Sequence, residues 1–177
     1  MSEVSKLHRG TALKSLGVFI LTCSSSRFDR RQTGENVEDS SGDIIERLAT
    51  KEGHRIEGRE LISDSKTMIR KTARKAFSLP NVDALIITGG TGLSPRDITV
   101  EVVSSLITKE MPGFGELFRK VSFDQIGSAA MLSRAVAGIV KNKAVFCLPG
   151  SPDAVQTAME HLILPELGHV IRIARQV

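Results

Sequence analysis

Three glycines in four positions make residues 89–92 the part of the chain best suited to hold an anion. The apolar run from Ala84 to Thr88 is typical of a strand buried on both faces, and a helical pattern follows the glycines. Glycine lets a ligand approach the main chain closely, and a helix N-terminus favours negative charge. The P-loop lysine and the G-x-G-x-x-G spacing are both absent. Spacing alone therefore leaves two interpretations open, a phosphate cradle or an ordinary strand-to-helix turn.

The helix after these glycines has a complete start signal. Ser94 is a candidate N-cap, Pro95 suits the first helical position, and Asp97 completes an S-x-x-D capping box. We therefore predict a helix that begins at Pro95, with Asp97 as a favourable charge in its first turn.

Three other polar segments follow predicted strands. Residues 23–27 form a hydroxyl-rich loop after the strand at 16–22, and Ser63 and Asp64 end a more mixed strand at 54–62. Residues 149–152, Pro-Gly-Ser-Pro, lie between a strand and a helix that Ser151 would cap. Because ligands of parallel sheets bind outside the carboxyl ends of the strands, we expect these segments and the glycine loop to converge.

The order of elements predicts an α/β fold, a three-layer sandwich in which a mostly parallel sheet carries helices on both faces. The short turn at 141–143 implies one antiparallel strand late in the chain. Residues 29–41 lack a hydrophobic pattern and are predicted to form a long loop, after which Ser41 caps a helix.

Length and composition favour one domain over residues 16–177, preceded by a polar, flexible N-terminal arm at 1–15. The longest apolar run near the start is too short to cross a bilayer and no leader cleavage site follows it, so we expect a cytoplasmic protein without membrane contact. The net charge is +4, but tryptophan and tyrosine are absent, so nucleic acid is not an expected partner. We interpret the basic side of the helix at 66–75 as a solvated face. Cys23 and Cys147 are expected to be buried free thiols.

Taken together, the motifs resemble the molybdenum cofactor biosynthesis proteins of the MogA/MoaB type. The similarity covers about residues 16–170, and the segment at 122–127 is more similar to the MoaB branch. The segments that carry the resemblance are 39–42, 88–97 with Thr99 and Glu101, 112–119, 132–138 and 148–152.

The resemblance implies a MogA-like fold that assembles as a homotrimer, or as a hexamer of two trimers. It implies Mg-ATP-dependent adenylylation of molybdopterin, which releases pyrophosphate and leaves adenylyl-molybdopterin, with Mg²⁺ as the cofactor and ATP and molybdopterin as substrates. Other enzymes of molybdenum cofactor synthesis are implied partners. The alternative is a non-catalytic module of the same fold that binds molybdopterin or serves as a scaffold.

The resemblance also assigns site residues. Asp64 and Asp97 align with the family's two catalytic acids and are the expected Mg²⁺ ligands. The alternatives are purely structural: Asp97 is a favourable charge at the start of a helix, and Asp64 caps the helix that follows it. The family commonly has Ser-Asp where this chain has Ser24 and Ser25. The predicted substrate-binding residues are Ser24, Ser25, Gly89, Gly90, Thr91, Gly92, Glu116, Ser133, Arg134, Pro149, Gly150 and Ser151.

Overall fold

Six strands form one sheet in the computed structural model, which describes residues 15–176. The predicted arm, apart from Ser15, lies outside the described residues. The strands are β1 (Gly17–Cys23), β2 (Arg55–Ile62), β3 (Ala84–Thr88), β4 (Lys109–Glu110), β5 (Val136–Val140) and β6 (Lys143–Leu148). In spatial order the sheet runs β2-β1-β3-β6-β5-β4.

One strand runs against the others, as predicted. β1 pairs in parallel with β2 and β3, and β3 pairs in parallel with β6, whereas β5 is antiparallel to both β6 and β4. The reversal occurs at Lys141 and Asn142, whose φ angles of 50° and 64° build a tight hairpin turn. Strand β4 was not predicted, because two exposed residues give no alternating pattern.

Helices cover both faces of the sheet, which confirms the predicted three-layer sandwich. Alternate residues of β1 point to opposite sides, so Val18 and Ile20 join one buried cluster while Phe19 and Leu21 join the other. The helices are α1 (Ser25–Gln32), α2 (Ser40–Lys51), α3 (Lys66–Ser78), α4 (Thr99–Ser104), α5 (Pro112–Ile126), α6 (Pro152–Ala158) and α7 (Leu164–Arg175). The first cluster packs under α2, α5, α6 and α7, and the second packs under α3 and α4.

Two local predictions near the first strand were wrong. The segment expected to be a loop forms α1, whose side chains include no buried residue, so it has no apolar stripe that a sequence pattern could reveal. The N-cap of α2 is Asp39, whose Oδ1 accepts the Gly42 N–H at 3.1 Å. Ser41 lies inside α2 instead, and its hydroxyl donates to the Gly150 carbonyl at 2.9 Å. The long loop is therefore reduced to residues 33–39.

No helix in the described part of the chain is long and apolar enough to cross a membrane. Cys23 and Cys147 are buried free thiols, as predicted.

The amino ends of the strands are held together by Asp83 and His54. Asp83 Oδ2 accepts the Gly17 N–H at 2.6 Å, and its Oδ1 forms an ion pair with Arg175 of α7. His54 Nδ1 accepts the Leu16 N–H at 3.3 Å. Burial lowers the pKa of His54, and this effect outweighs the opposing influence of nearby carboxylates.

We expect this histidine to make stability fall in mildly acidic solution. Below the ordinary pKa of His54 the unfolded chain takes up a proton that the folded protein resists, so the free energy of unfolding decreases until the lowered folded pKa is passed. Urea denaturation of the full chain at a series of pH values would measure the effect. His54→Gln keeps a hydrogen-bond acceptor without titrating, so the difference between wild type and variant should grow between pH 7 and pH 5. A difference that does not change with pH would contradict this prediction.

Candidate functional site

The polar segments after the strands converge, as expected, at the carboxyl edge of the sheet. They surround a cleft of about 530 Å³. Residues of β1, β3 and their following loops supply most of its wall, and Gly150 reaches it from the end of β6. The predicted site residues that line the cleft are Ser24, Ser25, Asp64, Gly89, Gly90, Asp97 and Gly150.

The floor of the cleft is backbone packed on backbone. The Gly89 N–H donates to the Leu148 carbonyl at 3.1 Å, and the Thr88 hydroxyl donates to the Pro149 carbonyl at 2.9 Å. Gly89 has φ +93°, and a Cβ there would overlap the Cys23 carbonyl oxygen. A Cβ on Gly150 would lie 3.1 Å from the Gly89 Cα. Only glycine therefore fits where the ends of β1, β3 and β6 meet.

This packing limits which amides can serve a ligand. The Gly89 amide is used within the sheet edge. The amides of Gly90, Thr91 and Gly92 donate to no residue in the described range 15–176. Of these three residues only Gly90 lines the cleft, so the predicted residues Thr91 and Gly92 do not reach its surface. Neighbouring free N–H groups can bind an anion, which agrees with the phosphate cradle, one of the two interpretations that the spacing left open.

Asp64 is fixed by Ser25, which lies across the cleft mouth on α1. Asp64 Oδ2 accepts the Ser25 N–H at 2.8 Å and the Ser25 hydroxyl at 2.9 Å. The Asp64 N–H is 3.0 Å from the same hydroxyl oxygen. Asp64 thus accepts the hydrogen bonds at the start of α1 and does not cap α3, the helix that follows Asp64 in the chain. The N-cap of α3, Ser65, makes no side-chain capping bond. The alternative in which Asp64 caps its own following helix is wrong.

The other oxygen of Asp64 has no partner. Asp64 Oδ1 and Thr99 Oγ1 are both buried, and neither has a hydrogen-bond partner of acceptable geometry among the described residues, although the Thr99 hydroxyl lies near enough to Cys23 to oppose in part the rise in the pKa of that thiol. Both oxygens lie against the same side of Gly90, where a Cβ would be 2.5 Å from Asp64 Oδ1 and closer still to Thr99 Oγ1. A buried carboxylate oxygen without a donor carries an energetic cost that a cation or a hydrogen-bonding ligand would remove.

The oxygen donors of this cleft fit Mg²⁺, which prefers hard oxygen ligands and retains several waters. Asp64 and Asp97 both line the cleft and would supply one carboxylate each. Residues 15–176 contain no group of three histidine, cysteine or acidic side chains arranged for a metal. Water and substrate oxygens would therefore have to supply the remaining ligands.

Only half of the predicted capping box at Ser94 and Asp97 forms, and it does not start a helix. Asp97 Oδ2 accepts the Ser94 N–H at 3.1 Å, but the Asp97 N–H donates to the Ser94 carbonyl at 2.9 Å, and the Ser94 hydroxyl accepts the Arg96 N–H instead. The prediction of a helix from Pro95 was wrong, because α4 begins only at Thr99. The reason is tertiary. The Thr99 N–H donates to the Gly90 carbonyl at 2.9 Å, which draws the chain back under the glycine loop before helical bonding can propagate.

Arg134 supports the loop from outside the cleft. Its Nε donates to the Thr91 carbonyl at 2.8 Å and its Nη2 to the Asp97 carbonyl at 3.1 Å, while it also forms an ion pair with Glu101. The hydrogen bond from Arg134 lowers the pKa of Glu101. The predicted binding residue Arg134 therefore holds Thr91 and Asp97 in place and is not among the residues that line the cleft.

The remaining predicted residues are more distant from the cleft surface. Ser151 is the N-cap of α6 and accepts the Ala154 N–H at 3.4 Å. Glu116 is exposed on α5, and Ser133 is half-buried after a 3-10 turn at Gly127–Leu132. Within the described chain neither Glu116 nor Ser133 lines the cleft.

Several cleft residues were not among those predicted. Arg27 adds positive charge to its wall, which Arg96 of the glycine-loop motif also lines, and Cys23 lies at its floor. Burial raises the pKa of Cys23 to about 12, so the thiol stays protonated and is a poor nucleophile at neutral pH. Thr99 belonged to a recognised motif, but its unpaired buried hydroxyl could be found only from the fold.

The chain is similar to known proteins along nearly its whole length. A family model described as "Probable molybdopterin binding domain" matches residues 19–169. "Molybdenum cofactor biosynthesis protein B" of Bacillus cereus is 42% identical over 164 residues, which cover 92% of this chain and 93% of that protein. The "Probable molybdopterin adenylyltransferase" of Methanocaldococcus jannaschii is 37% identical, with 93% of this chain and 97% of that protein covered.

The fold is also similar to solved structures. A crystal structure of a molybdenum cofactor biosynthesis protein B superposes with a TM-score of 0.86 at 40% identity. That similarity covers 94% of this chain and all of the other.

Replacing Thr99 tests whether its buried hydroxyl makes a hydrogen bond in the folded protein. Thr99→Val removes a buried hydroxyl without a partner, so we expect an unfolding free energy equal to wild type or up to about 2 kcal/mol higher. Thr99→Ser keeps the hydroxyl and loses a buried methyl, so it should cost about 1 kcal/mol. Urea denaturation of both variants measures these changes. A loss of stability in Thr99→Val larger than that in Thr99→Ser would show that the hydroxyl is bonded.

Proposed function

The chain belongs to the molybdopterin-binding family of molybdenum cofactor biosynthesis proteins, of the MogA/MoaB type, and from this membership we propose that it adenylylates molybdopterin. ATP is the proposed nucleotide donor, Mg²⁺ the metal, and adenylyl-molybdopterin and pyrophosphate the products. The name of the Methanocaldococcus jannaschii relative, a probable molybdopterin adenylyltransferase, supports the reaction class.

One observation carries this proposal beyond family membership. A buried carboxylate oxygen of Asp64, with no partner among the described residues, lies against Gly90, the first of three neighbouring amides of the glycine loop that donate to no described residue. A negative oxygen and N–H donors at one place suit a ligand that brings both a cation and phosphate oxygens. A metal-bound nucleotide is such a ligand.

Transfer of an adenylyl group needs little covalent chemistry from the protein. An oxygen of molybdopterin attacks the α-phosphorus of ATP, the bond from that phosphorus to the bridging oxygen breaks, and pyrophosphate leaves. Catalysis then consists of alignment and of stabilising charge on the phosphate oxygens. The amides of Gly90, Thr91 and Gly92 would hold one phosphate group, and Arg27 and Arg96 would offset negative charge at the cleft wall.

The two carboxylates have different proposed roles. Asp64 is held rigidly by Ser25 and presents one oxygen for the metal. Asp97 sits on the turn closed by Ser94 and faces the cleft from the other side of the glycine loop. Mg²⁺, when bound, would neutralise phosphate charge and orient the leaving group.

Asp97→Asn tests the assignment. We expect pyrophosphate release from Mg-ATP and molybdopterin to fall about 100-fold or more, because the amide keeps the size of the side chain but removes its charge. Binding of molybdopterin and the fold should persist. The matched control is Asp29→Asn, which makes the same change at an exposed position of α1 away from the cleft.

The outcomes of that assay separate the candidate functions. Wild-type turnover in Asp97→Asn would remove Asp97 from the mechanism. A wild-type protein that binds molybdopterin but releases no pyrophosphate would instead be the non-catalytic binding or scaffolding module.

We also propose that the protein assembles as a homotrimer or as a hexamer of two trimers. Support comes from a run of large apolar side chains on α5 and the adjoining 3-10 turn, each between 52% and 77% exposed. Such a surface is larger than isolated apolar residues usually make. Its members are Leu117, Phe123, Ile126, Met131 and Leu132.

Native mass spectrometry should give three or six times the 19.2 kDa chain mass. Phe123→Glu combined with Met131→Glu should shift the protein towards the monomer, because charge at an apolar interface is unfavourable. The control, Ile173→Glu, alters an equally exposed side chain on α7 and should leave the mass unchanged. A monomeric wild type would contradict the proposed assembly. The cytoplasmic location and contacts with other molybdenum cofactor enzymes stay predictions.

A further inference from the structure

A row of four cationic side chains lines a shallow groove on the outer side of α3. The groove has a volume of about 600 Å³. Lys66, Arg70 and Arg74 follow one another at four-residue spacing, so they lie on successive turns of one helix face, with Lys71 beside them.

These four cations are not neutralised, which sets them apart from their neighbours. Lys75, on the same helix, pairs with Glu60 at 2.6 Å, and Arg59 pairs with three carboxylates. Within residues 15–176 no carboxylate lies within ion-pair distance of Lys66, Arg70, Lys71 or Arg74. Like charges at four-residue spacing destabilise a helix, so the row has a cost that no internal contact offsets.

The charge at the start of the helix is also unfavourable. Lys66 is the first residue of α3, there is no acidic residue in the first turn, and Ser65 makes no capping bond. A cation at this end is opposed by the helix dipole, which favours an anion there. A bound anion would therefore offset more of the electrostatic cost of Lys66 than of a cation elsewhere on the helix.

The guanidinium of Arg70 is already fixed in position by a contact within the protein. Its Nη2 donates to the Ser105 hydroxyl at 3.1 Å, which fixes the guanidinium against the end of α4. Its Nε is buried and has no hydrogen-bond partner among the described residues. An anchored guanidinium loses little entropy when it binds a phosphate with its remaining N–H groups.

The row begins at the edge of the candidate site. Lys66 is two residues beyond Asp64, and successive turns carry the charge away from the cleft along α3. A polyphosphate whose inner phosphate lies at the glycine loop could thus place its outer phosphates at Lys66 and Arg70.

We propose that Lys66 and Arg70 bind the pyrophosphate portion of ATP and retain it as the leaving group. This inference rests on the proposed nucleotidyl transfer. As the bond between the α-phosphorus and the bridging oxygen breaks, that oxygen keeps the electron pair and the pyrophosphate gains negative charge. Two cations placed at the outer phosphates stabilise this charge and then slow release of the product.

Calorimetric titration of the full chain with pyrophosphate in MgCl₂ tests the proposal. Lys66→Gln combined with Arg70→Gln should raise the Kd of pyrophosphate about tenfold, and inorganic phosphate should bind more weakly than pyrophosphate to wild type. The control, Lys109→Gln combined with Lys141→Gln, removes the same charge from exposed positions at the opposite side of the sheet, and should change the Kd less than about twofold.

Three results would overturn the inference: no binding of pyrophosphate by wild type, no loss in the Lys66 and Arg70 variant, or an equal loss in the control. The adenylylation assay distinguishes this failure from failure of the proposed function. Turnover with a Kd that is insensitive to Lys66 and Arg70 rejects only the subsite. A sensitive Kd without turnover rejects only the transfer reaction.

Discussion

The site depends on the close backbone contact where the ends of β1, β3 and β6 meet. Gly89 bonds to Leu148 and leaves no room for a side chain against Cys23, and Gly150 packs tightly on Gly89. This contact uses the Gly89 amide, whereas the next three amides of the glycine loop donate to no residue in the described chain. The sheet edge therefore sets the conformation of the loop. Arg134 and Thr99 stabilise that conformation through hydrogen bonds to the carbonyls of Thr91 and Gly90.

Asp64 shows how one carboxylate can have both a structural and a proposed chemical role. Its Oδ2 completes the start of α1 through two bonds from Ser25, while its Oδ1 remains buried without a partner in the described chain. The first contact stabilises the fold and the second costs free energy. An aspartate at position 25 would place a second negative charge against the first. Serine avoids that repulsion and positions the carboxylate with a hydroxyl.

Most of the architecture could be predicted because buried strands and amphipathic helices leave clear hydrophobic patterns. β3 and the face of α3 are examples. The failures have physical causes. α1 has no buried side chain, and β4 has only two residues. The helix expected after Ser94 does not begin there, because the hydrogen bond from Thr99 to Gly90 holds the chain in another conformation. The convergence of Asp64, Gly90 and Asp97 could be predicted from topology. The unpaired oxygens of Asp64 and Thr99 could not, because hydrogen bonding between distant segments has no sequence pattern.

Asp83 joins Gly17 at the start of β1 to Arg175 near the end of α7, at the amino edge of the sheet. The first and last described elements thus meet on the side of the molecule opposite the cleft. A surface tether or a fused reporter attached near Gln176 would leave the cleft mouth open. Because the Asp83 contacts fix this end of α7 at the amino edge of the sheet, the protein can be immobilised there for single-molecule or biosensor measurements without covering its site.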